Sequence, residues 1–171
     1  MDGSRSVRFR GLLQALLRHG VDFFVVGGVA AQLEGAPIVT FDLDILYDKT
    51  PENLDRLLGV LQELKARYRD PAGRHIEPDL VRLETMRTHL LLTELGALDV
   101  LSQIGAGRTY RDLAGRTVLY ELGEDRVRVL ELAAVIESKE QANRDKDRAV
   151  LPVLRQTLVM KTGLRRGEEN T

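Results

Sequence analysis

The chain has 171 residues, 43% of them hydrophobic and 30% charged, enough for one globular domain with a sizeable core, or one domain plus a small helical appendage, and too few for two full domains. Zero cysteines exclude a disulfide framework, a thiolate zinc site and a cysteine nucleophile. A formal net charge of -1 argues against a dedicated nucleic-acid binder, which needs a basic excess to displace counterions from phosphates.

Residues 7–19, VRFRGLLQALLRH, carry Phe9, Leu12, Leu13, Leu16 and Leu17 at helical spacing, and Gly20 stops that helix with His19 near its dipole. The β-branched and aromatic run VDFFVV, residues 21–26, predicts a buried strand, after which Gly27-Gly28 opens a short helix, VAAQLEG. Past Ala36-Pro37, residues 38–47, IVTFDLDILY, predict a second strand. Val39, Phe41, Leu43 and Ile45 then face the core, and Thr40, Asp42 and Asp44 share the other face. Thr50-Pro51-Glu52 reads as a helix start, with Thr50 as N-cap and Leu54, Leu57, Leu58, Leu61 and Leu64 on the apolar side.

Residues 68–87, with Pro71, Gly73 and Pro78, predict a loop and one short helix. THLLLTEL and ALDVLSQI flank Gly96, so 88–95 and 97–104 predict a hairpin that adds Asp99 to the sheet. TVLYEL and VRVLEL, separated by Gly123, predict two short strands, followed by helices near 131–142 and 144–160. The last of these has Leu151, Leu154, Leu158 and Val159 on an apolar face. The mixed-charge tail, from Lys161 through Arg165, Arg166 and Glu168 to Asn170, reads as a solvated end. The expected architecture is α/β (α+β): a core over residues 1–130 with a mixed sheet, and a helical segment over 131–171 packed on it. Without a basic start leading into an apolar run, or an apolar stretch of about 18 residues, neither a signal peptide nor a membrane span is expected, which points to the cytoplasm.

The chemistry concentrates at two places in this order. Side chains at i and i+2 of a strand point the same way, roughly 6–7 Å apart, so Asp42 and Asp44 form a carboxylate pair. Two anions on one surface need counter-charge, and a hard divalent cation with oxygen ligands is the simplest supplier. Asp99 from a neighbouring strand completes a site for two cations about 3.5–4 Å apart, the spacing of phosphoryl and nucleotidyl transfer. Gly27 and Gly28, lacking Cβ atoms, let a bulky anion approach the backbone while the helix directs free N–H groups toward it. Thr40 is a β-former aimed at the same site. Lys139, Lys146 and Asp147 also fit a charged helix face, since Glu140 with Arg144 and Asn143 with Asp147 are i,i+4 neighbours that need only solvent. Tyr47, Tyr68, Tyr110 and Tyr120 are too dispersed for a base-stacking platform. His75 and His89 carry no assignment.

VVGG at 25–28, a short helix, TFDLDIL at 40–46 and the later LDVL at 98–101 together resemble the signature of the DNA polymerase beta-like nucleotidyltransferase superfamily. The stretch VLELAAVIESKEQANRDKDRAVLPVL, residues 129–154, resembles the helical end of small bacterial members, including the AbiEii-related toxins and the minimal nucleotidyltransferases. The resemblance covers roughly residues 10–155. It implies that Gly27 and Gly28 contact a nucleoside triphosphate, that Asp42 and Asp44 bind two magnesium ions, and that Asp99 binds the ion that activates the acceptor hydroxyl and serves as its general base. It also implies phosphate contacts from Lys139 or Lys146. The chain departs from the pattern at Ile38, where many relatives carry arginine, and at Asn143-Arg144-Asp145, where relatives often have Gly-Arg-Pro.

The expected activity is transfer of a nucleoside monophosphate to a hydroxyl on a small molecule, a protein or an RNA end, the last disfavoured by near-neutral charge. Two rivals stand beside it. One is a non-catalytic binding module, such as one half of a toxin-antitoxin pair, and the other a metal-dependent phosphohydrolase that turns the same carboxylates on water.

Overall fold

The computed structural model describes residues 3–168. Helix α1 (Gly3–Arg18) buries Leu12, Leu13, Ala15 and Leu16, and the chain turns out of it at Gly20, whose φ of 69° lies in the left-handed region. His19, just past its end, meets Glu63 at 2.5 Å. Strand β1 (Phe23–Val26) is buried along its whole length, as its unbroken apolar run requires. Helix α2 (Gly27–Leu33) includes both glycines, so the pair forms its first turn.

Strand β2 (Leu43–Tyr47) is shorter than its sequence suggests. Residues 38–42 lie outside any strand, and Val39 and Phe41, which alternation would turn toward the core, are 71% and 67% exposed. Pairing explains the difference: β1 runs out at Val26 opposite Asp44, leaving no partner on that side for the residues before Leu43. Asp42 therefore stands one residue ahead of the strand, and Thr40 lies in irregular chain.

Helix α3 (Pro51–Glu63) begins as expected, with the Thr50 hydroxyl accepting from Asn53 N at 3.4 Å and Leu54, Leu57 and Leu61 buried. After β3 (Arg67–Tyr68), the loop-rich region holds one short helix, α4 (Leu80–Thr85), capped by Asp79. The hairpin forms from β4 (Thr88–Thr93) and β5 (Gly96–Leu101). Gly96 is the first residue of β5, opposite Thr93, and the turn is Glu94-Leu95. The second strand does not run through to 104. It breaks at Ser102, and β6 (Gln103–Ile104) pairs instead with β7 (Arg108–Thr109) in a separate ribbon closed by Gly105 and Gly107, both at positive φ. A one-turn helix, α5 (Tyr110–Leu113), follows with a capping box between Thr109 and Asp112.

Strands β8 (Thr117–Leu122) and β9 (Asp125–Leu130) form the second hairpin, turned at Gly123, and helices α6 (Leu132–Ala142) and α7 (Asp145–Glu168) follow. The tail is thus helical to Glu168, while Glu169 and Asn170 lie outside the described residues. The main sheet has seven strands in the order β3-β4-β5-β2-β1-β9-β8, with β2/β5 and β1/β9 parallel and the other neighbours antiparallel. This is the mixed sheet flanked by helices that the sequence implied.

His89, on β4, is buried between Tyr68, whose hydroxyl lies 2.7 Å from Nδ1, and Tyr47, whose hydroxyl lies 3.4 Å from Nε2. Burial pushes its imidazole down to about 4, so it stays neutral and structural at physiological pH. Among the described residues, no helix is long and apolar enough to cross a membrane.

Candidate active site

Parallel pairing of β2 with β5 places Asp44 directly opposite Asp99, on backbones about 5 Å apart, with Asp42 two residues before Asp44. Gly27, Asp42, Asp44, Asp99, Lys139 and Lys146 all line one cleft of about 530 Å³, walled on its far side by α6 and the start of α7. Gly28 and Thr40 pack on one another beside it.

The glycine pair has a packing reason that the sequence did not reveal. Gly27 has φ +63°, and a Cβ there would fall inside the Asp44 carboxyl, 3.0 Å from its Cγ. A Cβ on Gly28 would stand 2.9 Å from Thr40 Cβ and Oγ1. Both glycines therefore admit neighbouring side chains, and the pair lets β2 and the segment before it close on α2. The Thr40 hydroxyl in turn donates to the Asp42 carbonyl at 3.3 Å, steadying the residue that leads into the strand.

Electrostatics in the cleft are unbalanced. The Asp44 carboxyl is pushed up to about 7, first by burial, then by the charges of Asp99 and Asp42, with Lys139 offsetting part of the rise. Burial also raises Asp99, opposed by the nearby charge of Arg69. The two carboxyls thus face each other across the strand pair, and the charge of Asp99 raises the cost of charging Asp44. Arg69, just past β3, supplies the nearest positive charge: Nη1 lies 3.3 Å from Asp42 Oδ2, and Nη2 bonds Asp99 Oδ1. Among the described residues, no three carboxylates or histidines converge in a cluster able to enclose a metal ion. The donor chemistry nonetheless fits a hard dication, with three carboxylates facing one cleft and the most buried of them, Asp44, raised first by burial and then by its two acidic neighbours.

Lys139 and Lys146 differ in their commitments. Asn143, at φ 49°, ends α6 and turns the chain into α7, and this break folds Asp147 inward. Asp147 has no solvent exposure and accepts from Lys139 Nζ at 3.3 Å and from Arg144 Nε at 2.6 Å. The solvated helix face with i,i+4 pairs is thus corrected: Asp147 is buried, and Glu140 pairs with Arg155 at 2.6 Å instead of Arg144. Lys146 is exposed at the cleft edge, and its charge lowers Asp99 slightly. Asp147→Ala is expected to cost about 3 kcal/mol, because it strands the mostly buried Lys139 ammonium, and urea denaturation measures it.

Sequence reasoning did not find Arg69, Arg87 or Gln103. Arg87 also lines the cleft, its Nε and Nη1 donating at 3.0 and 3.1 Å to Gln103 once the Gln103 amide oxygen is turned toward it.

No family model matches the sequence, and no curated protein matches it either. Solved structures do. One is a Thermotoga maritima protein provisionally described as a nucleotidyltransferase, 18% identical, with a TM-score of 0.58 over 89% of this chain and 93% of its own. Another is the antibiotic-resistance factor ANT(2'')-Ia, 14% identical, with a TM-score of 0.56 over 99% of this chain and 96% of its own. The chain has a nucleotidyltransferase-like fold. At these identities the likeness concerns the fold, and the nucleotidyltransferase-like core places Asp42, Asp44 and Asp99 at one cleft on this chain's own geometry.

Proposed function

We propose that the chain is a magnesium-dependent nucleotidyltransferase that moves a nucleoside monophosphate from an NTP to an acceptor hydroxyl. The observation that carries the reading is the register of β2 on β5, which sets Asp44 against Asp99 beside Asp42 in a cleft whose opposite wall is basic.

In this reading Asp42, Asp44 and Asp99 hold two magnesium ions, which when bound neutralise phosphate charge and lower the pKa of a coordinated hydroxyl. The residues of the chain do the rest. Asp99 faces the acceptor and takes its proton as general base. Asp44, freed of its own proton once counter-charge arrives, becomes a full anion at neutral pH. Gly27 and the α2 backbone flank the triphosphate. Lys146 contacts phosphate oxygens, and Lys139, tied to Asp147, steadies the wall from which it reaches. Thr40 positions Asp42 through its backbone carbonyl. The acceptor oxygen bonds to the α-phosphorus as the bond to pyrophosphate breaks, with positioning and charge neutralisation supplying the rate. The acceptor is a small molecule, a protein side chain or, less favourably at this net charge, an RNA end. The small-molecule option draws on the resistance factor among the structural neighbours.

A second reading is a non-catalytic binding module, such as one half of a toxin-antitoxin pair. One observation favours it: Arg69 already neutralises Asp42 and Asp99, the part a metal ion plays in an active enzyme.

Incubation with magnesium and each α-labelled NTP, in the presence of small-molecule, protein or RNA fractions, separates these readings. The proposal predicts pyrophosphate release matched by label on one fraction. Release of free NMP without labelled acceptor supports hydrolysis, and binding without any release supports the module.

A further inference from the structure

Arg69 is the only cation seen bridging two of the three cleft aspartates among the described residues, and its surroundings define what it can do. Its backbone is fixed, with the amide donating to the Leu90 carbonyl at 3.0 Å beside β4. Its side chain is one-third exposed, so the guanidinium sits at the end of a flexible stem whose outer part borders solvent. The adjacent Asp70 gives it no alternative partner, because that carboxylate is committed to Arg74 through bonds of 2.9, 3.1 and 2.8 Å. Asp42 and Asp99 thus compete for Arg69 only with whatever enters the cleft.

We propose that the Arg69 guanidinium and a divalent cation are alternative occupants of the seat between Asp42 and Asp99, so that Arg69 withholds these carboxylates from a bare metal ion and yields them to metal arriving with nucleotide. The inference rests on the reading of Asp42, Asp44 and Asp99 as metal ligands. Both occupants draw on the same carboxylate oxygens and repel each other, so they cannot share the seat. A bare cation must therefore expel Arg69 with nothing to receive it. A triphosphate brings anionic oxygens that accept the displaced guanidinium, for which its planar fork of donors is well suited. Metal and nucleotide then bind cooperatively, each relieving a cost that the other would meet alone.

The test is calorimetric titration of magnesium alone, and of magnesium with a fixed excess of a non-hydrolysable NTP analogue, into wild type, Arg69→Ala and Arg69→Gln. Circular dichroism confirms that the variants fold. The expected result is that both variants bind magnesium alone at least about tenfold more tightly than wild type, and that the added gain from nucleotide shrinks. The thermal midpoint of the metal-free variants falls, because Asp42 and Asp99 lose their counter-charge. Metal binding to wild type that neither variant alters, or that both weaken, overturns this inference alone. Absence of any metal or nucleotide binding by all three proteins overturns the nucleotidyltransferase reading with it.

Discussion

Asp44→Asn is expected to raise the thermal midpoint of the metal-free protein at pH 8 by on the order of 10 °C. The wild-type carboxyl titrates near 7 in the folded chain and near 3.8 when unfolded, so between those values the folded state binds the extra proton. Stability from this group is therefore complete below about pH 4 and is lost as pH rises toward 7. Above pH 7 the buried charge, set against Asp99 and Asp42, bears the whole cost. A rise of about three pH units corresponds to about 4 kcal/mol, and each kcal/mol moves the midpoint of a chain this size by about 2–4 °C. Asparagine keeps the shape and removes the charge. Scanning calorimetry in EDTA from pH 4 to pH 8 should show the two midpoints converging in acid and separating in base. Coincident midpoints at pH 8 would show that the carboxylate carries no such penalty. With magnesium and an NTP the order should narrow or reverse, since only wild type retains all three carboxylates.

Gly27→Ala is expected to be the most damaging single methyl in the chain. The position has φ +63°, which costs a non-glycine residue about 1–2 kcal/mol. The added Cβ would also overlap the Asp44 carboxyl, and relieving an overlap against close packing costs a further 1–3 kcal/mol, roughly. Together these amount to about 2–5 kcal/mol, measurable by urea denaturation as a shift in midpoint at constant slope. The same substitution should abolish nucleotide-dependent stabilisation, because Asp44 must move to make room. Full retention of both stability and ligand response would mean that the glycine serves neither purpose.

Much of the frame could be read from local pattern. Thr50-Pro51 marks the start of α3 because capping chemistry is encoded within four residues, and the two runs flanking Gly96 mark the β4–β5 hairpin because its turn is local. Asp42 and Asp44 are legible as a pair by their spacing, and both face the cleft although Asp42 stands just ahead of β2. What failed depended on partners distant in sequence. Nothing within IVTFD reveals that β1 ends opposite Asp44 and leaves Val39 and Phe41 exposed. Asp147 reads as a surface carboxylate until the left-handed turn at Asn143 folds it against Lys139. Arg69 lies in a loop-rich stretch without periodicity, and its bonds reach 27 and 30 residues back and forward, to Asp42 and Asp99. Gly27 and Gly28 stand out in the sequence as an opening for an anion, and the structure adds a packing reason that only the contact of α2 with Asp44 and Thr40 supplies.

If Asp42, Asp44 and Asp99, brought together by β2 and β5, hold metal for a nucleotide as proposed, the folded protein should respond to the two ligands together. A thermal-shift titration of wild type and Asp42→Asn with each NTP, with and without magnesium, reads that response, since a ligand that binds the folded state raises its midpoint. Wild type should gain stability only when magnesium and an NTP are both present, and the variant should not. An equal response from the two proteins, or none from wild type under any condition, would contradict it.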